Sequence, residues 1–133
     1  MSALSIEHLT VALPRGADRP YALTDVSLSI APGEILCVVG ESGSGKSVTA
    51  TTIMRLMAPG VRVEAGRVML GETDLASLPD EALRRLRGRR IAMVFQEPMT
   101  ALNPLMAVGD QLAEMWRTHT AVSYTHLTLP TKA

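Results

Sequence analysis

The feature that most constrains this chain is a run of five apolar residues, Ile35-Leu36-Cys37-Val38-Val39, delivered straight into Gly40-Glu41-Ser42-Gly43-Ser44-Gly45-Lys46-Ser47. An unbroken, β-branched-rich run of this kind predicts a strand buried on both faces of a parallel sheet. Glycines at 40, 43 and 45 permit turns closed to residues with a Cβ and let amides approach an oxygen closely. The spacing Gly-x4-Gly-Lys-Ser is that of a loop whose N–H groups cradle phosphates. The helix beginning at the lysine would add the positive end of its dipole. Lys46 is placed to bridge the β- and γ-phosphates of a nucleoside triphosphate, and Ser47 to offer its hydroxyl to Mg²⁺. The candidate site therefore runs from Gly40 to Ser47, with Val48 in the first helical turn. A mere glycine-rich turn with an exposed lysine is the bland alternative; the strand before, the helix after and the complete spacing argue against it.

Bulk properties narrow the class without fixing a reaction. The chain has 133 residues, zero formal net charge and 47% apolar residues, a globular composition of one domain or part of one. A balanced charge gives no global pull towards nucleic acid or anionic lipid. The five arginines between Arg84 and Arg90 follow Asp80 and Glu81 with no interleaved aromatic residue. They read as a solvated helix end, and no nucleic-acid partner is expected. The single cysteine, Cys37, sits among apolar neighbours and is expected in the core, in keeping with a reducing compartment. The opening residues have no sustained apolar stretch of a secretory signal, and no run is long enough to cross a bilayer. His8, His119 and His126 form no metal-ligand spacing.

Along the chain, Leu4 to Ala12 reads as a strand, and Pro14 to Pro20 as a turn-rich loop. Val26, Leu28 and Ile30 alternate with serines, giving a strand with one wet face. A helix is expected over Val48 to Met57, a strand over Gly66 to Leu70, and a short helix opening at Pro79-Asp80-Glu81. Ile91 to Phe95 reads as another apolar strand. Val108, Leu112, Met115 and Trp116 fall on one helical face. Strands alternating with helices predict an α/β architecture with antiparallel strands near the start.

A second string sharpens the reading. Phe95-Gln96-Glu97-Pro98-Met99-Thr100-Ala101-Leu102-Asn103-Pro104 lies about fifty residues after Lys46. With GESGSGKS before it, it resembles the ATP-binding subunits of ATP-binding cassette (ABC) transporters, specifically the peptide/nickel importer subfamily. The segments YALTDVSLSIAPGEILCVVG and GRVMLGETDLASLPDEALRRLRGRRIAMVFQE continue the likeness, which spans about residues 4 to 118. The resemblance implies an α/β P-loop NTPase fold, a parallel core sheet with an N-terminal antiparallel β subdomain. It also implies ATP and Mg²⁺ as ligands, with Lys46 and Gln96 as catalytic residues and Ser47 and Gln96 as metal ligands. Taken alone, Gln96 is only a polar residue ending a strand; the surrounding string makes it the Q-loop glutamine, where the nucleotide domain meets a permease. The family stacks an aromatic residue on adenine. Tyr21 is the one aromatic residue before the loop, yet the family position falls near Leu13 to Arg15. Stacking by Tyr21 and packing of Tyr21 on the sheet both stay open.

Further implications concern the whole assembly. The expected partners are transmembrane permease subunits, a second ATP-binding cassette in a homo- or heterodimer, and indirectly a substrate-binding protein. The expected location is peripheral, on the cytoplasmic face of the bacterial inner membrane. The family's LSGGQ-type signature, its Asp-Glu after an apolar strand and its switch histidine do not occur here. The chain thus reads as residues 1–118, the N-terminal half of a cassette, followed by a tail, 119–133. From about residue 121 that tail leaves the family pattern and is expected to be non-native. A nucleotide-binding fragment without turnover of its own is the alternative function. A GTPase or kinase reading fails for want of Asn-Lys-x-Asp and of any role for FQEPMTALNP.

Overall fold

The computed structural model describes residues 1–119, so the tail reading lies outside the described residues apart from His119. The chain divides into two compact units, Met1–Leu83 and a second beginning at Arg84.

The first unit is built on a four-stranded antiparallel sheet. Its strands are β1 (Leu4–Ala12), β2 (Tyr21–Ile30), β3 (Arg62–Leu70) and β4 (Thr73–Asp74), in the order β2-β1-β3-β4. β1 is central, with Ile6 opposite Leu28 on one side and Val68 on the other. Strict alternation would put Ile6 on the opposite face from Leu9 and Val11, yet all three are buried. His8 resolves this. It adopts φ 51°, and an irregularity in pairing between Ile6 and Leu9 inserts the extra residue that returns the apolar set to one face. Asp25 on β2 does the same with φ 52°. The two bulged residues are tied together, His8 Nδ1 to Asp25 Oδ1 at 2.7 Å. The backbone N–H of His8 donates to Ser27 Oγ at 2.9 Å, and that of Asp25 to Thr10 Oγ1 at 3.1 Å.

Helix α1 (Lys46–Ile53) follows the glycine loop and is shorter than the Val48–Met57 expectation. Thr49, Thr51 and Thr52 are β-branched and poor helix formers. Thr49 Oγ1 and Thr51 Oγ1 donate back to the carbonyls of Gly45 and Ser47 at 2.8 and 3.1 Å. The helix stops at Met54, and Arg55 turns left-handed. Arg55 then fastens the chain beyond, donating to Leu78 O at 2.7 Å and to Asp80 Oδ1 at 2.9 Å. Met54, Leu75 and Leu83 join Ile6, Leu9, Val11 and Val68 in the core. Helix α2 (Asp80–Leu86) carries Asp80 and Glu81 in its first turn and Arg84 and Arg85 in its last, complementing its dipole.

The second unit holds a 3-10 turn, Pro98–Ala101, and helix α3 (Val108–His119). Gln111 on α3 anchors the preceding segment: its Oε1 accepts from Asn103 N at 3.0 Å, and its Nε2 donates to Asn103 O at 2.9 Å and Met106 O at 3.0 Å. The expected apolar stripe of α3 exists, but Leu112, Met115 and Trp116 all remain exposed.

Two expectations are corrected. Neither Ile35–Val39 nor Ile91–Phe95 forms a strand; beyond one bridge between Arg87 and Ile91, no parallel pairing occurs among the described residues. Ile35 and Val39 are about nine-tenths exposed, and Cys37 is exposed rather than in the core. The physical reason is that a strand exists only against a partner strand that takes up its N–H and C=O groups. Among the described residues none lies alongside these runs. The antiparallel part of the expected fold is present in full.

Candidate functional site

The glycine loop is shaped from both ends. At its end, Gly45 adopts φ 103° and is buried against β2: a Cβ there would lie 2.6 Å from Leu23 Cδ2 and 2.9 Å from Ala22 O. Leu23 is itself a buried core residue, so the loop cannot draw back. At the start, a Cβ on Gly40 would lie 2.6 Å from Ser44 Oγ and 3.7 Å from Lys46 Nζ. The interior of the loop is thus a cradle that a side chain at position 40 would fill.

Lys46 closes this cradle. Its ammonium donates to Gly40 O at 2.5 Å, Glu41 O at 2.7 Å and Ser44 Oγ at 3.2 Å. Glu41 O also accepts from Ser44 N at 3.1 Å, forming the turn across Ser42 and Gly43. The ammonium therefore sits among oxygens at the centre of the loop, where an anionic oxygen would replace neutral carbonyls as acceptor and bind a charge more strongly. Ser47 follows in the first turn of α1 with an exposed side chain, and Val48 is half-buried behind it. The Ser47 hydroxyl is a hard oxygen one residue from the lysine, the kind of ligand that Mg²⁺ takes.

One residue from another loop contacts the phosphate loop without any local signal in the sequence. Arg19, in the loop between β1 and β2, donates from Nη2 to the carbonyl of Gly43. Only the arginine's type and its position in a turn-rich loop were visible in advance; nothing in the spacing links residue 19 to residue 43. Tyr21 opens β2 opposite Ala12 and is about two-fifths exposed. With Arg19, Arg15 and Arg62 it lines an open groove of about 440 Å³. Ala22 and Leu23, which back Gly45, follow it directly.

Gln96 belongs to the second unit. It is exposed in a shallow depression of about 360 Å³ with Phe95, Glu97, Thr100 and Ala101. Thr100 Oγ1 donates to Glu97 O at 2.9 Å, which holds the turn just after the glutamine.

Comparison with known sequences decides the family. The sequence profile of the family described as ABC transporter matches residues 23–131. The chain belongs to the ABC transporter family. A Brucella abortus (strain 2308) ATP-binding protein named for peptide import is 48% identical to this ABC chain over 126 residues, covering 90% of it and 37% of the relative. The glutathione import ATP-binding protein GsiA of Salmonella typhimurium is 44% identical over 127 residues, covering 91% of this chain and 20% of its own length. The peptidoglycan transport ATP-binding protein YejF of Agrobacterium fabrum is 43% identical over 121 residues, with 90% and 22% covered. The ABC chain thus spans well under half the length of these relatives. Its fold is similar to that of the ATP-binding cassette MJ0796, solved as a dimer in a post-hydrolysis state with ADP and Pi. The TM-score is 0.73 at 23% identity, covering 92% of this chain and 50% of that one. No helix among the described residues is long and apolar enough to cross a membrane.

Proposed function

We propose that this chain is the Mg-ATP-binding portion of the energy-coupling subunit of an ABC importer for peptides or nickel. The observation that carries the proposal is the placement of Lys46 inside the Gly40–Ser44 cradle, bonded to three loop oxygens. On ATP binding, the ammonium exchanges these neutral acceptors for β- and γ-phosphate oxygens, while amides of residues 43 to 48 take the remaining phosphate oxygens. Mg²⁺, when bound, would neutralise phosphate charge, and by the family resemblance Ser47 and Gln96 would be its protein ligands. Tyr21 offers its ring to the adenine from the groove edge.

Residues 1–118 correspond to the N-terminal part of a cassette in this reading. The names of the Brucella and Salmonella relatives, given for peptide and glutathione import, favour a peptide cargo. The complete protein pairs with a second cassette and with permease subunits, which hold it at the cytoplasmic face of the inner membrane. A substrate-binding protein acts indirectly, through those subunits.

On this reading, this portion binds ATP, and sustained turnover needs the rest of the cassette. The test compares ATP binding and phosphate release by this chain and by a version extended to the length of its relatives. Both should bind ATP, and only the extended version should release phosphate at a sustained rate. Equal turnover by the two would contradict the assignment of this portion as a binding half.

A further inference from the structure

We propose that Arg19 is a second cation for the phosphates of the bound nucleotide, held beside the loop by Gly43 and turned to a phosphate oxygen on binding. The inference rests on the phosphate-loop reading and adds a residue to it from a different part of the chain. Arg19 and Gly43 are 24 residues apart, and the guanidinium reaches the middle of the loop to donate to its carbonyl. A guanidinium carries five N–H donors in a planar fork. One of them on Gly43 leaves four for other acceptors, and the guanidinium fork matches phosphate oxygens in pairs.

The electrostatics favour the same reading. A triphosphate brings several negative charges to a loop whose own cation, Lys46, is a single point charge. Glu41 is the one acidic side chain within the loop, and Asp18 adjoins Arg19 in sequence. A further positive group close to the loop would add to Lys46 and the loop amides, and Arg19 donates to the loop from outside it. Arg19 is exposed and lines the open groove, so its head can move from carbonyl to phosphate without disturbing the core.

Two substitutions separate a phosphate contact from a simple tie on the loop. Arg19→Gln keeps a donor for Gly43 O but removes the charge; Arg19→Lys keeps the charge but removes the fork. ATP, ADP and adenosine are titrated against the native chain, both variants and Lys46→Ala, at low and high salt. Arg19→Gln should weaken ATP and ADP about tenfold, the scale of one charge-assisted hydrogen bond, and leave adenosine unchanged. Arg19→Lys should recover most of the loss, and the deficit of Arg19→Gln should shrink at high salt. Native ATP affinity in Arg19→Gln, or an equal loss for adenosine, would overturn the proposal. If Lys46→Ala loses ATP while Arg19→Gln does not, Arg19 alone is misassigned. If Lys46→Ala also binds ATP normally, the phosphate-loop reading falls with it.

Discussion

Gly45 is packed onto Leu23 so closely that a Cβ at position 45 would stand 2.6 Å from Leu23 Cδ2 and 2.9 Å from the carbonyl of Ala22. This joins the phosphate loop to the antiparallel sheet through a buried side chain, so the loop's geometry depends on β2 as well as on its own glycines.

Gly45→Ala is accordingly expected to be costly twice, through the contact and through φ 103°. The loss of stability should be about 1–3 kcal/mol, and ATP affinity should fall with it. Urea unfolding and an ATP titration check both; an unchanged midpoint would show that β2 yields freely.

Gly66 faces the β1 bulge, where a Cβ would meet His8 O at 2.5 Å, Glu7 O at 2.6 Å and Leu9 Cα at 2.6 Å. All three atoms are backbone and cannot step aside. Gly66→Ala should destabilise the first unit by roughly 2–3 kcal/mol. A shift in the urea midpoint measures this, and a neutral substitution would mean that the bulge relaxes.

The core and α3 should respond in opposite ways. Leu83 is 2% exposed, and Leu83→Ala should cost about 2–5 kcal/mol. Leu112 is 55% exposed, and Leu112→Ala should stay within about 0.5 kcal/mol. Comparable losses would show that the apolar face of α3 is covered in this chain.

These contrasts mark what the sequence could disclose. β1 forms over Leu4–Ala12 as expected, and the Gly40–Ser47 loop leads into a helix as its spacing requires. Helices α2 and α3 begin where Asp80 and Val108 signal them. The bulges at His8 and Asp25 were not legible, because a left-handed residue inside a strand is chosen by its neighbours across the sheet. Ile35–Val39 carries strand composition without becoming a strand, since composition states a preference and pairing requires a second segment. The Arg19–Gly43 contact has a related origin: it spans 24 residues, is set by the fold and leaves no local pattern.

Gln96 is exposed and sits in a different unit from Lys46. Gln96→Ala should leave ATP affinity of this chain within about twofold, because a solvated amide adds little to binding. In the extended version the same change should slow phosphate release by about 10²-fold, the scale of losing one transition-state donor. A large loss of affinity in this chain would mean that the Gln96 amide already contributes to nucleotide binding without the extension.

The most direct test of the account is an ATP titration of the native chain beside Lys46→Ala, with Mg²⁺ present. Saturable binding is expected for the native chain and a loss of at least about a hundredfold in the variant, as removal of a charge paired with phosphate implies. Equal affinity in the two would contradict the claim that Gly40 to Ser47 is the phosphate site.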